Sequence, residues 1–250
     1  MSFKNKLFSF GKKMGYCKFT RCNKNRESEV SIWSYYGRKT KVIQYYPSPI
    51  CDKIIEPFAG TAVYSLYENN WEKDVLLVDK YDVVIKVWHY LQKASREDIL
   101  SLPDMNYHDN VDMHEQLTQE EKWLIGFSIN GGSAQPKKTT MKFNTWNRNK
   151  PLIADELHKI RHWDIRQGDY RDIENQEATW FIDPPYVNGG IYYRHNNKSI
   201  DFEELGEWCK SREGQVIVCE NTKSDWMDFK PLKRMKGSLH VTTEAIWTNY

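Results

Sequence analysis

Apolar residues along this chain fall into short blocks whose spacing changes from block to block, and that change of period predicts an α/β protein. Lys53-Ile54-Ile55 is a short apolar strand, Phe58-Ala59-Gly60-Thr61 a turn, and Ala62 to Tyr67 the start of a helix. Val75-Leu76-Leu77-Val78 then makes a second buried strand that ends at Asp79, and Val83, Val84, Val87, Trp88 and Leu91 follow at helical spacing. Such βαβ units imply a parallel sheet with helices on its faces.

Further along, Thr118-Gln119-Glu120-Glu121 has the form of a capping box ahead of Trp123, Leu124 and Phe127, which share one helical face. A polar loop from Gly131 to Lys150 comes next, then a helix from about Leu152 to His162. Trp180-Phe181-Ile182 and Gln215 to Cys219 read as core strands, and Leu239 to Asn249 as a closing hairpin or strand. There is no internal repeat.

A chain of 250 residues can bury one substantial core, so a single unit, acting as a monomer, is expected. Net charge is only +2, so any affinity for nucleic acid must be local. Residues 1–30 are locally basic, with eight Lys or Arg against Glu27 and Glu29, and read as a basic arm or a solvated tail. The loop from Gly131 to Lys150 carries five basic residues and no acid. The five cysteines, Cys17, Cys22, Cys51, Cys209 and Cys219, form no CxxC pair, so reduced thiols and a cytoplasmic location are expected and no structural metal is. No apolar run approaches the roughly 20 residues of a membrane span, and Lys4, Lys6, Lys12 and Lys13 interrupt any signal core, so no membrane association is expected.

Candidate chemistry centres on Asp183-Pro184-Pro185-Tyr186, where a buried strand runs into a carboxylate, two prolines and an aromatic ring. Proline ends the strand, and in an open α/β sheet the carboxyl ends of strands are where ligands bind. A plain proline-rich turn is the alternative. Upstream, Glu56-Pro57-Phe58-Ala59-Gly60 makes a glycine-bearing turn between strand and helix, and Asp79 closes the next strand 19 positions after Gly60. An acid at that spacing can bind ribose hydroxyls, although it can also cap a helix. The pyrophosphate fingerprint G-x-G-x-x-G is missing, which suits a ligand without phosphate, such as S-adenosylmethionine. Tyr35-Tyr36-Gly37-Arg38-Lys39 adds a glycine for close backbone approach and a lysine for a carboxylate.

In this order the motifs resemble the Dam-type (D12 class) adenine-specific DNA methyltransferases. Tyr35, Gly37 and Lys39 look like the family's N-terminal motif, Glu56 to Gly60 its cofactor loop, Asp79 its ribose-binding acid and Asp183 to Tyr186 its catalytic motif. Tyr35 stands where the family usually has Trp, and Trp33 lies two positions earlier. The resemblance implies a Rossmann-like S-adenosylmethionine-dependent methyltransferase sheet with an inserted, mainly helical DNA-recognition subdomain. It divides the chain into a cofactor-binding part at residues 31–104, the insertion at 105–160 and a catalytic part at 161–250.

It also implies S-adenosylmethionine as cofactor, held by Tyr35, Gly37, Lys39, Phe58, Gly60, Asp79, Asp169 and Asp183, and duplex DNA as partner. Asp169, in Gln167-Gly168-Asp169-Tyr170, would meet the cofactor's adenine ring. The target base would be flipped out of the duplex. Asp183 and the Pro184 carbonyl would accept hydrogen bonds from its amino group, and Tyr186 would offer a ring face. In the basic loop, Lys137, Lys138 and Lys142 are expected toward phosphates, and Asn144, Asn147 and Arg148 toward base edges. Enzymes acting on cytosine N4 share this geometry but commonly have Ser at the position of Asp183, so adenine is expected. A catalytically silent DNA-binding relative is the other reading, against which Asp183 and Tyr186 both stand intact.

Overall fold

A computed structural model describes residues 31–236 and 241–250. The basic arm at residues 1–30, with Cys17 and Cys22, lies outside the described residues, as does Leu239, where the closing hairpin was expected to begin. In chain order the elements are β1 (Lys53–Glu56), α1 (Val63–Leu66), β2 (Asp74–Asp79), α2 (Asp82–Lys93), α3 (Arg96–Ser101), α4 (Gln119–Ser128), α5 (Trp146–Glu156), β3 (Asp164–Gln167), β4 (Ala178–Ile182), α6 (Phe202–Lys210), β5 (Gly214–Asn221), β6 (Lys230–Lys236) and β7 (Val241–Thr248).

All seven strands lie in one sheet, in the order β3-β2-β1-β4-β5-β7-β6. Strands β1 to β5 run parallel, while β7 slots in antiparallel between β5 and β6. This is the expected Rossmann-like α/β sheet. Its central strands read as continuous apolar runs because both faces are covered. Ile54, Leu77, Phe181 and Ile217 point into one core, and their neighbours Ile55, Leu76, Trp180 and Val216 into another. The first core takes in α2 through Val84, Val87, Trp88 and Leu91, α4 through Leu124 and Phe127, and α5 through Trp146 and Ile153. Residues 105–160 therefore share their core with the sheet. The second core is closed by α6, through Leu205 and Cys209.

Helix α4 begins as the sequence predicts, with Thr118 and Glu121 forming a reciprocal capping box. Helix α5 begins earlier than the expected Leu152. It starts at Trp146, takes Pro151 into its interior and ends at Glu156, followed by a 3-10 turn from Leu157 to Ile160. Proline disfavours a helix interior, but here Trp146 is fully buried and its indole N–H donates to Pro103 O, which anchors the first turn. The basic loop consequently ends at Thr145, and Asn147, Arg148 and Lys150 are helical.

Strand β6 and helix α6 were not expected. Lys230-Pro-Leu-Lys-Arg-Met-Lys236 lacks an apolar run because β6 is the edge of the sheet, where Lys and Pro block further pairing.

The chain steps outward from β1 through β2 to β3, then returns to place β4 on the other side of β1. That reversal opens a crevice at the carboxyl ends of β1 and β4, the place where open α/β sheets bind ligands.

Candidate active site

Four adjacent parallel strands end at this crevice, and each delivers an acid. Glu56 closes β1 and Asp79 closes β2, while Asp169 lies just past β3 and Asp183 just past β4. All four line one pocket, together with Tyr35, Gly37, Lys39, Phe58 and Gly60. The residues expected to hold a cofactor are thus brought together.

The turn after β1 is tightly built. Gly60 has φ of 45° and Ala62 of 47°, both left-handed, and the second is strained for a residue with a side chain. Three contacts hold the turn. Gly60 N donates to Asp79 Oδ2 at 3.0 Å, Ala59 N donates to Val78 O at 3.0 Å, and the Trp88 indole donates to Gly60 O at 2.9 Å. Asp79 Oδ1 also accepts from Tyr81 N at 2.8 Å. Helix α2 takes Tyr81, not Asp79, as its N-cap, so the helix-capping alternative for Asp79 does not apply. Burial pushes the Asp79 carboxyl up to about 6, against the two amide bonds. Burial likewise pushes Glu56 up to about 8, although Ser65 N donates to it at 2.8 Å.

Asp169 is in the opposite condition. The Arg171 guanidinium, followed by Lys80 at 2.8 Å, holds its carboxyl well below the usual range.

Tyr35 is buried against Trp33, Phe127 and Tyr193. Trp33 is fully buried beside Trp88 and Phe127, and belongs to the core instead of the pocket lining. Gly37, with φ of 76°, sits under the Tyr193 hydroxyl, and a Cβ there would meet that oxygen at 2.0 Å. The left-handed backbone favours glycine there, and a side chain would also displace the Tyr193 hydroxyl.

At the Asp183 end, Lys39 Nζ lies 2.7 Å from Asp183 Oδ1 and 3.9 Å from Glu244 Oε1. Burial alone would lower the Lys39 ammonium, but the two carboxylates carry it above the ordinary lysine range. Asp183 is pushed up to about 6, chiefly by burial, opposed by Lys39 and reinforced by Glu244. Pro184 is buried and Pro185 lines the pocket. Tyr186, expected to offer a ring face, is not among the lining residues: Lys39 Nζ lies over its ring, 4.5 Å from the centre, and its hydroxyl donates to Glu244. Beyond the motif, Glu220 Oε2 accepts from Val187 N at 2.9 Å and Asn197 donates to Val187 O at 2.7 Å, which pins the outgoing chain.

The residues expected toward DNA are more scattered. Lys137 and Lys142 are exposed, and Lys137 lines a shallow groove with Tyr36, Gln135, Ile191 and Tyr192 that adjoins the main pocket at Tyr36. Lys138 is paired with Asp112 at 2.7 Å. Asn144 donates to Met105 O at 2.6 Å, and Asn147 both accepts from Met105 N and donates to Met105 O, so these two amides bind backbone. Arg148 is exposed on α5 and donates to Asn149 Oδ1.

Sequence reasoning gave no role to Glu244, Tyr46 or Tyr193. A signal for Glu244 does exist. Alternation puts it on the same face of β7 as Ile246, which packs on the first core, so a carboxylate points inward there.

Fold and site together define a Rossmann-like α/β protein with a ligand pocket at the switch point of its sheet. No protein-family model and no curated protein matches the chain. Among solved structures it is similar to "Putative methyltransferase yhhF from Escherichia coli", at 9% identity and a TM-score of 0.33, over 83% of this chain and 78% of that one. The fold assignment rests on the strand order itself. Among the described residues no helix is long and apolar enough to cross a membrane.

Proposed function

We propose that the chain is an S-adenosylmethionine-dependent DNA methyltransferase that modifies the N6 amino group of adenine. The observation that carries this reading is the convergence of the Gly60 turn, Asp79, Asp169 and Asp183 on one pocket. The donor set suits the cofactor. One glycine in the turn leaves no phosphate cradle, Asp79 keeps lone pairs for ribose hydroxyls, and Lys39 lines the same pocket with its ammonium against Asp183. When bound, S-adenosylmethionine supplies a methyl group on a positively charged sulfur, which leaves with its electron pair.

The exocyclic nitrogen of adenine is a poor nucleophile, because its lone pair is delocalised into the ring. Asp183 and the Pro184 carbonyl favour its pyramidal form by accepting its hydrogens. That nitrogen forms the new bond to carbon and then loses a proton to solvent. The two prolines keep the carbonyl fixed. DNA as substrate is supported by Lys137 in a groove that shares Tyr36 with the main pocket, and by exposed Lys142 in the same basic loop.

The test is transfer of a labelled methyl group to duplex DNA, with structured RNA in parallel and sequencing for modified adenine. Asp183→Ala abolishes transfer while DNA binding persists. Product confined to RNA or to cytosine, or an Asp183→Ala turnover within a few-fold of wild type, would falsify the reading.

A further inference from the structure

One carboxylate oxygen on β7 gathers two tyrosine hydroxyls and the Lys39 ammonium. Glu244 Oε1 accepts from the Tyr46 hydroxyl at 2.6 Å and from the Tyr186 hydroxyl, and Lys39 Nζ lies 3.9 Å away. The Glu244 side chain is only 12% exposed, so these contacts are not screened by water. Lys39 is itself the partner of Asp183 at 2.7 Å and lies over the Tyr186 ring. A single ammonium therefore stands between two carboxylates. An ammonium committed wholly to Asp183 would compete with an amine for the same lone pairs, and a second carboxylate beside it relieves that commitment.

We infer that Glu244 is a positioning residue of the methyl-transfer centre, acting through Tyr186, whose ring it fixes beside Asp183, and through Lys39, whose charge it shares. This rests on the reading of Asp183 as the group that receives the target amine. Glu244 sits opposite Asn221 of β5 and Lys233 of β6, held between two strands, so its carboxylate has a rigid base.

Glu244→Gln keeps the volume and one acceptor oxygen but removes the charge. In the full-length protein it lowers kcat about ten- to a hundredfold while DNA affinity is kept, as expected for lost orientation. It also moves the Asp183 titration to lower pH, because a nearby negative charge is gone. Tyr46, Glu56, Glu220, Tyr193 and Cys219 also interact electrostatically with Asp183, but they are the same residues in both proteins, so the difference is set by Glu244. A Glu244 whose charge does not reach Asp183 would leave that titration where it is.

Carboxyl-carbon NMR reads the titration without any methyl transfer. If wild type methylates no nucleic acid, the proposed function fails, and the NMR shift still tests the link to Glu244. Tyr186→Phe, which keeps the ring, serves if Glu244→Gln does not fold, and it lowers kcat with KM unchanged. In the double variant the two losses are not additive. A wild-type Asp183 titration in Glu244→Gln, or wild-type kcat in Tyr186→Phe, overturns the inference.

Discussion

Asp79 and Gly60 are joined directly, the carboxylate of one accepting the backbone amide of the other at 3.0 Å. The acid is therefore both a wall of the pocket and the clasp of the turn opposite it. Asp79→Ala raises the dissociation constant for S-adenosylmethionine at least about tenfold, by loss of a charge-assisted hydrogen bond of about 1.5–3 kcal/mol. It also lowers stability by about 1–3 kcal/mol, because the Gly60 and Tyr81 amides lose their acceptor. Titration calorimetry and urea unfolding separate the two effects, and an unchanged dissociation constant would refute the ribose assignment.

On the proposed mechanism methyl transfer requires Asp183 ionised, since the carboxylate is the stronger acceptor for the amine and a carboxylic acid would present a proton of its own. With its carboxyl raised to about 6, kcat/KM climbs with pH through about 6 and then levels. A profile that stays flat from about pH 5 to about pH 8 would remove Asp183 from the proton inventory.

Glu56 governs stability in a different pH window. Its folded carboxyl is raised to about 8 from 4.5, so its contribution is complete below about 4.5 and lost as pH rises toward about 8. Glu56→Gln accordingly flattens the fall in unfolding free energy over that window. Denaturation curves at several pH values check it, and a parallel decline in the variant would assign the effect elsewhere.

Lys137 and Lys142 are exposed, whereas Lys138 already faces Asp112. Replacing Lys137 and Lys142 together with Ala weakens DNA binding across sequences and flattens the salt dependence by about one to two in log–log slope. Lys138→Ala has the smaller effect. Fluorescence anisotropy at several salt concentrations decides the matter, and an unaltered slope takes this loop off the DNA path.

What could be read from sequence followed from how each segment is covered. Strands β1, β2, β4 and β5 are buried on both faces and announce themselves as apolar runs, and β1, β2 and β4 each end on or beside a residue singled out in advance. Edge strand β6 gave no such signal. The start of α5 was hidden by Pro151, a local cue overridden by the buried Trp146. Asn144 and Asn147 looked available for base edges because their partner, Met105, is about forty residues away in the chain and invisible to any local pattern. Glu244 had the same difficulty, since Tyr46 and Tyr186 lie far from it in sequence.

The contact of Tyr193 with Gly37 has a thermodynamic consequence. The chain that leaves Tyr186 runs on to supply Tyr193, Arg194, His195, Ile200 and Asp201 to the pocket around Gly60 and Asp79. Its Tyr193 hydroxyl donates to Tyr36 O at 3.2 Å, which fastens it to the turn on the far side. One stretch of backbone thereby joins Asp183-Pro-Pro-Tyr186 to the lining around Gly60 and Asp79. If cofactor and target base bind as proposed, a shift of this stretch by one changes the affinity for the other, and by the same factor whichever arrives first.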